Sequence, residues 1–248
     1  MYVDRRDLKK IKDESLKIWR YLDFTKFVSL LDINALFFAR ADTMEDPLEG
    51  SLSKANIEAR QKDDSRIPQK ALKQIADLHK NARYHVFINS WHMNDVESAA
   101  MWKLFLQSSE GIAIQSTVGN LKKSVDLSSN YEINIAKVEY IDYETHMIPE
   151  RNILYPFIHK RKSFEHEKEL RALTLIMPEK PDEDSIDFSV PNQNLGIYVP
   201  IDVNTLIDRV YVSPTALPWF YDLTRSVMEK YGIEKEVIKS NLAVDPVY

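Results

Sequence analysis

Two glutamates separated by one residue, Glu167 and Glu169, are well placed in this sequence for acid–base chemistry. They lie near the end of a charged run over 159–171, where a predicted helix (about 152–168) meets a predicted strand (170–177). Residues two apart in extended backbone project to the same side, so both carboxylates are expected to enter one cleft. Like charges in one cleft raise the pKa of one acid, which divides acid and base roles between them. An ordinary charged helix end explains the same residues.

A second group of polar side chains is interleaved with large aromatic rings between Phe87 and Phe105. The wall of a pocket for a flat, polar ligand has this composition. A buried strand that runs into a capped helix is the alternative explanation. A histidine here is suited to a role as general base or as a ligand-orienting group. The candidates are His92 and Glu97 as catalytic residues, with Ser90 and Trp91 as ligand-binding residues.

Further candidates are two cations of the charged run and the segment Trp19-Arg20-Tyr21. Arg20 lies between two aromatic residues and is suited to hold a phosphate or carboxylate, with Tyr21 stacked on a ring. Alternatively, its aliphatic stem simply packs on a tryptophan. Lys160 and Arg161 are the cations of the run that we assign to cofactor binding; a solvated helix face with i,i+4 ion pairs explains them as well.

The turn Glu45-Asp46-Pro47-Leu48-Glu49-Gly50 carries three carboxylates in a backbone of defined shape. Proline fixes φ and glycine releases it. Asp46 is expected to accept hydrogen bonds from the amides of the turn. Glu49 has less structural reason to be there and is a weaker candidate for the site.

Composition excludes several classes of function. The 248 residues include no cysteine, which removes disulfides, thiolate metal sites and a cysteine nucleophile. The net charge of −5 gives no overall attraction to nucleic acid or anionic membranes. No run approaches the roughly 18 apolar residues of a membrane span, and no signal peptide is recognisable. The six histidines lack metal-ligand spacing. We therefore expect a cytoplasmic protein with no metal and no membrane partner.

The order of predicted elements favours one α+β domain over residues 1–248, with a mixed, largely antiparallel sheet flanked by helices. A charged N-terminal segment (1–17) is predicted as a helical extension, and 51–83 as a helical insertion broken near Pro68. An acidic, proline-containing loop lies at 178–187. The sequence leaves open whether this loop covers a pocket, and it does not predict an oligomeric state.

The motifs above, in this order, resemble a bacterial family known as domain of unknown function 2971. The resemblance spans roughly residues 18–240 and names a family without implying a settled activity. It rests on Trp19-Arg20-Tyr21, Leu36-Phe37-Phe38, Asp46-Pro47-Leu48-Glu49, Trp91-His92, Glu97-Ser98, Met101-Trp102, His159-Lys160-Arg161, Phe164, Glu167, Glu169, Arg171 and Val212-Ser213-Pro214.

The succession of an early arginine on a strand, a strand ending in serine and a late Glu-x-Glu also looks like the arginine–serine–glutamate class of ADP-ribosyltransferases, including toxin-type members. This likeness implies that Arg20 binds the phosphates or ribose of NAD. Ser90 takes the place of the serine motif, and Glu167 and Glu169 are the paired glutamates. The sequence departs from the class because no Ser-Thr-Ser triplet is present and the interval from Ser90 to Glu167 is long.

Three functional hypotheses follow. The first is an intracellular NAD-using transferase, a toxin or phage-defence effector that modifies a protein or nucleic-acid acceptor. The second is a nuclease or phosphotransferase that uses His92, Glu97, Lys160 and Glu167 on a phosphodiester. The third is a non-catalytic module that binds a nucleotide or peptide in the same pocket. In the first and third, a small nucleotide is the expected ligand, and the macromolecular acceptor of the first is unknown.

Overall fold

The computed structural model describes residues 1–3, 8, 11–62, 68–106, 108–128, 130–177, 188–244 and 246. Its strands are β1 (Lys17–Asp23), β2 (Ala35–Arg40), β3 (Val86–Met93), β4 (Gly111–Thr117), β5 (Asn134–Lys137), β6 (Glu139–Ile141), β7 (His159–Arg161), β8 (Glu169–Leu175), β9 (Gly196–Pro200), β10 (Arg209–Val212) and β11 (Glu236–Lys239). Its α-helices are α1 (Phe24–Ile33), α2 (Lys54–Lys62), α3 (Gln69–Ala82), α4 (Ala99–Phe105), α5 (Val118–Ser128), α6 (Val203–Leu206) and α7 (Pro218–Lys230).

Nine of the described strands form one mixed sheet. Seven of them follow the order β11-β10-β4-β1-β3-β2-β9, while β8 pairs with β3 and with β5. Strands β10 and β11 pair in parallel, and the other pairings in this sheet are antiparallel. A separate parallel pair is formed by β6 and β7. The predicted α+β fold with a mixed, largely antiparallel sheet flanked by helices is confirmed.

The sheet has an opening along one edge of β3. Strand β8 pairs with β3 from Val86 to His92 and occupies the opposite edge. On the facing edge, β2 pairs only at Phe87 and Ile88, and β1 pairs only at His92 and Met93. The three residues 89–91 therefore have no strand partner on this edge. Helix α1 connects β1 to β2 and lines the opening between them.

The two faces of the sheet carry different side chains, because successive residues of a strand alternate between faces. Phe87 and Trp91 of β3 point into the main hydrophobic core, which also buries Phe27 of α1, Leu121 of α5 and Phe220 of α7. Ile88, Ser90 and His92 point to the other face. There they meet residues of β8, because Ser90 pairs with Arg171 and His92 with Glu169. The polar face beside the opening is thus supported by a packed apolar layer behind it.

One prediction of secondary structure is wrong. Residues 152–168 form no single helix; they contain 3-10 turns at Tyr155–Ile158 and Lys162–Glu167 on either side of β7. In the N-terminal segment, the described residues 1–3, 8 and 11–17 are not helical, and Leu8 is buried; the helical extension over 1–17 stays a prediction.

The predictions for the loop 178–187 and for the bounds of the domain stay predictions. The loop 178–187 lies outside the described residues. Helices α2 and α3 lie within the predicted insertion 51–83, but the bounds of the domain, its extension and its insertion stay predictions. Among the helices that the structure describes, none is long and apolar enough to cross a membrane.

Two glycines with left-handed backbone give a matched test of the packing around the turn before α2. Gly50 has φ +71°, and a Cβ there would lie 2.2 Å from the buried Phe157 ring. Gly232 has φ +69° and no atom within 4 Å of such a Cβ. Both substitutions by alanine add backbone strain of about 1 kcal/mol, and only Gly50→Ala adds overpacking. Urea denaturation should show losses of about 3 kcal/mol for Gly50→Ala and about 1 kcal/mol for Gly232→Ala; equal losses would contradict the packing of this turn.

Candidate active site

A cavity of about 760 Å³ lies at the opening of the sheet. Its walls come from β1, α1, β2, the turn that follows β2, β3, the end of α4, β7, β8 and β9, together with the 3-10 turn that follows β7. The site is therefore built from chain segments that are distant in sequence. Eight of the ten predicted site residues line this cavity: Arg20, Tyr21, Ser90, Trp91, His92, Lys160, Glu167 and Glu169.

The floor of the cavity is a buried cluster of charges centred on Arg171. Its side chain is 1% exposed and pairs with two carboxylates. Arg171 Nη1 and Nη2 donate to the two oxygens of Glu49 at 2.5 and 2.9 Å, and Nε donates to Glu169 Oε2 at 2.7 Å. Arg171 Nη1 also donates to the carbonyl of Phe157 at 2.7 Å. Because every charge in the cluster has a partner, burial is tolerated.

Glu169 is held as a carboxylate by four hydrogen bonds from three residues. Arg171 donates two of them, from Nε at 2.7 Å and from Nη2 at 3.2 Å. Lys160 Nζ donates at 2.7 Å and Ser90 Oγ at 2.9 Å. Burial favours the neutral acid, but the charge of Arg171 and these hydrogen bonds outweigh it and hold the pKa of Glu169 well below its usual range. Glu169 is thus a fixed negative charge in the wall of the cavity.

Glu167 shares Lys160 with Glu169 but has the opposite protonation behaviour. Its carboxylate pairs with Lys160 Nζ, while burial and the neighbouring Glu169 raise the pKa of Glu167 to about 7. Burial opposes the charge on Lys160, and the two glutamates more than offset that, so its pKa lies above the ordinary value. The pKa values of the two acids are therefore shifted in opposite directions. The local geometry differs from the expectation, because Lys168 between them is left-handed (φ 42°) and not extended.

Arg20 reaches into the opening from β1. Its Nη1 donates to the carbonyl of Ser90 at 2.7 Å, and its Cζ lies 6.0 Å from the centroid of the Trp91 ring. Among the described residues no carboxylate forms an ion pair with Arg20. Burial without a counter-charge lowers the pKa of Arg20 to about 10. A buried arginine that has no counter-charge is suited to bind an anion.

His92 is fixed by its backbone contact with the segment that carries Glu167. Its Nδ1 lies 2.7 Å from the carbonyl of Glu167, which as an acceptor requires the proton on Nδ1. Burial lowers the pKa of His92, so the neutral ring is favoured. Its Nε2 is buried and has no hydrogen-bond partner among the described residues. His92 therefore helps to place Glu167 whatever further role it has.

Tyr21 and Trp91 line the cavity but are largely buried, at 6% and 1% exposed; their stacking on a ligand stays a prediction. The Tyr21 ring contacts Trp102 at 5.0 Å and Trp19 at 6.5 Å between centroids, and its hydroxyl accepts a hydrogen bond from the amide of Ser98 at 2.8 Å. Trp91 is buried in the main core, where its Nε1 donates to Asn89 Oδ1. Both rings support the wall of the cavity and leave little face for a ligand.

Glu97 and Arg161 are not brought to the cavity, among the described residues that line it. Glu97 accepts hydrogen bonds from Trp102 Nε1 at 2.9 Å and Ser240 Oγ at 2.6 Å, so it ties α4 to the chain after β11. Arg161 pairs with Asp46 at 2.8 Å and anchors the turn around Pro47. Both residues make structural contacts outside the described wall of the cavity; the catalytic role of Glu97 and the cofactor-binding role of Arg161 stay predictions.

Sequence reasoning missed Arg171 as the centre of the site and undervalued Glu49. Arg171 is one charge among many in a run that suggests a solvated surface. The available signal is its position, two residues after Glu169 on a strand otherwise rich in apolar residues. Within the described chain, no group of three His, Asp or Glu side chains is arranged to hold a metal ion.

The buried pair of Glu49 and Arg171 predicts a large loss of stability on neutralising one partner. Glu49→Gln leaves the guanidinium with less compensating charge, and breaking a buried ion pair costs about 3–5 kcal/mol. We expect a loss near the lower end, about 3 kcal/mol, because Glu169 still pairs with Arg171. Chemical denaturation measures it. The exposed pair of Glu144 with Lys54 is the control: Glu144→Gln should leave the unfolding free energy unchanged, and an equally small effect of Glu49→Gln would contradict the buried cluster.

The raised pKa of Glu167 predicts a specific pH dependence. A carboxyl titrating near 7 in the folded state and near 4.5 when unfolded favours folding in its protonated form. Its contribution is complete below about pH 4.5 and is lost as the pH rises through about 7. The difference in unfolding free energy between wild type and Glu167→Gln should fall by about 2 kcal/mol from pH 5 to 8. Side-chain carboxyl NMR should show Glu167 titrating near pH 7 while Glu169 stays ionised; a Glu167 titration near pH 4.5 would contradict the geometry.

Comparisons with known proteins give weak likenesses only. No protein-family model matches this chain, and no curated protein matches its sequence. Membership of domain of unknown function 2971 is therefore not confirmed. Among solved structures, the chain is similar to Thermus sp. 2.9 DarT in complex with NAD+, at 9% identity and a TM-score of 0.42, over 92% of this chain and 96% of that chain. The same protein in complex with ADP-ribosylated ssDNA gives 10% identity and a TM-score of 0.41, over 94% and 98%. Likeness at this level carries no inference about activity.

Proposed function

We propose that this protein is an NAD-using transferase of the ADP-ribosyl type that modifies a protein or nucleic-acid acceptor, with a role as a toxin or phage-defence effector. One observation carries the proposal. A continuous set of hydrogen bonds joins Arg20 to the carbonyl of Ser90 and the hydroxyl of Ser90 to Glu169. These are the arginine, serine and glutamate positions that the resemblance selected from the sequence.

The charges of the cavity suit a dinucleotide with a reactive glycosidic bond. Arg20 has no carboxylate partner among the described residues and is available to the pyrophosphate. Lys26 of α1 is exposed and also lines the cavity, which adds a second cation on the same side. The carboxylates of Glu167 and Glu169 lie on the opposite side, on the far edge of β3. Phosphates and reacting sugar would therefore each meet the charge that stabilises them.

The proposed reaction uses the two carboxylates differently. The bond between nicotinamide and ribose C1′ breaks, and its electron pair leaves with the nicotinamide as the neutral base. Positive charge develops on the ribose, and the fixed anion Glu169 stabilises it. A nucleophilic oxygen or nitrogen of the acceptor then bonds to C1′, and its proton passes to Glu167. A carboxylate whose conjugate acid has a pKa of about 7 accepts a proton efficiently at neutral pH.

The two other hypotheses differ in their support. The nuclease hypothesis combined Glu97 with His92, Lys160 and Glu167, and Glu97 is bonded elsewhere. The binding-module hypothesis shares the cavity and Arg20 but requires no turnover. It is therefore separated from the transferase hypothesis by activity and not by binding.

The test is transfer of label from NAD, radioactive in its ADP-ribose part, to the protein and nucleic-acid fractions of a cell lysate. The full-length wild type should label one of the fractions. Glu169→Gln removes the fixed anion and should reduce the rate at least 100-fold, the scale of losing one transition-state contact. Arg20→Ala should weaken NAD binding in calorimetry by at least tenfold, because a charge-assisted phosphate contact is lost.

Matched controls are Arg225→Ala on α7 and Glu144→Gln, which change charges of exposed ion pairs outside the described wall of the cavity. Both should transfer label like the wild type, and circular dichroism checks that all variants are folded. No NAD binding by the wild type at millimolar concentration would overturn the proposal. Binding without any transfer, unaffected by Glu169→Gln, would favour the non-catalytic module.

A further inference from the structure

Two exposed aromatic rings stand together at the rim of the cavity, on the edge of the sheet. Phe37 of β2 and Tyr198 of β9 are 45% and 48% exposed and both line the cavity. They are directly opposite each other in the antiparallel ladder, with ring centroids 5.4 Å apart and planes at 63°. An exposed ring pair on a rigid ladder presents fixed apolar area next to a polar site.

Gly196 shows that the position of the Phe37 ring is built into the chain. A Cβ at Gly196 would lie 2.0 Å from Cζ of Phe37, so the ring lies directly against the backbone of β9. Only Gly50 and Gly232 among the glycines have positive φ, so backbone conformation does not require glycine at 196. What glycine provides there is space for the ring.

The ring pair lies on the same face of the sheet as the carboxylates, but at its other end. Asn89 Nδ2 donates to the carbonyl of Phe37 at 2.8 Å, and extending the β2–β3 register by two residues beyond the pair Ala39–Ile88 puts Phe37 opposite Ser90. Strand β8, with Glu169, lies on the far side of β3. Strands are spaced about 4.8 Å apart, so Phe37 lies roughly 10 Å and Tyr198 roughly 14 Å from β8 across the sheet.

We propose that Phe37 and Tyr198 form a stacking subsite for a planar heteroaromatic ring, which is the adenine of the dinucleotide. The source of the ring rests on the proposed function: the nicotinamide end must lie at the carboxylates for reaction, which leaves the other base for the far end of the face. Stacking on protein rings suits any base, since every base has a π-face. The base of a nucleic-acid acceptor is the other source of the same chemistry.

Two variants remove the subsite by different routes. Phe37→Ala deletes the ring, and Gly196→Ala keeps it but displaces it, since the flexible side chain must move from the new Cβ. Calorimetry on the full chain then compares NAD, nicotinamide mononucleotide, which lacks the adenosine, and a single-stranded oligonucleotide. We expect both variants to weaken NAD binding about tenfold, the scale of one lost stacking contact, and to leave nicotinamide mononucleotide unchanged.

The control is Trp219→Ala on α7, a ring 51% exposed and outside the described wall of the cavity; it should bind every probe like the wild type. Weaker oligonucleotide binding with unchanged NAD binding would support the subsite and assign it to the acceptor. Unchanged binding of NAD and of the oligonucleotide in both variants would overturn the subsite, even where Arg20→Ala still weakens NAD binding. If the wild type binds no NAD, the proposed function fails, and oligonucleotide binding alone tests the subsite. The subsite is then overturned if the wild type does not bind the oligonucleotide, or if both variants bind it like the wild type.

Discussion

The buried guanidinium of Arg171 is the interaction on which the site depends. An arginine that is 1% exposed is stable only with its charge and donors satisfied. Glu49 supplies a carboxylate from the turn before α2, and Glu169 supplies another from the same strand. The pairing therefore holds the turn before α2, which is distant in sequence, against β8. It also keeps Glu169 ionised, and the fixed charge on Glu169 is one cause of the raised pKa of Glu167. One buried cation thus sets both the shape and the protonation of the carboxylate pair.

The opening beside β3 is the complementary constraint. A complete ladder between β1 and β3 would satisfy the carbonyl of Ser90 with a backbone amide, and Arg20 would have no place in the sheet. Strand β1 pairs with β3 only up to Trp19, and β2 pairs with β3 only at Ile88 and Phe87. In the gap between them, the side chain of Arg20 takes the place of a strand partner for Ser90. Arg20 is desolvated by this arrangement and still directed at the cavity. The irregularity of the sheet, not its regular part, creates the candidate site.

The sequence predicted much of the fold because periodicity and turn residues are local signals. The predicted strand over 170–177, for example, overlaps β8 (Glu169–Leu175). The helix over 152–168 was wrong because charged residues at i,i+4 spacing also suit 3-10 turns around a short strand. The convergence of Glu167 and Glu169 was expected from extended backbone, yet it arises through the left-handed Lys168 and the shared Lys160. Which charges are buried depends on long-range pairing, such as that of Glu49 with Arg171, and no window of sequence contains both partners.

The polar face of the sheet changes character from one end to the other. Strands β7 and β8 and the turn between them carry the carboxylates with their cations, β3 presents a serine and a histidine, and β2 and β9 present exposed rings. Exposed rings on an edge strand invite association between chains, and the apolar surface is costly unless something covers it. A ligand with a charged, reactive end and an aromatic end would cover the rings and meet the charges in the same orientation. The order of side chains across the strands would therefore restrict both the kind of ligand and the direction in which it binds.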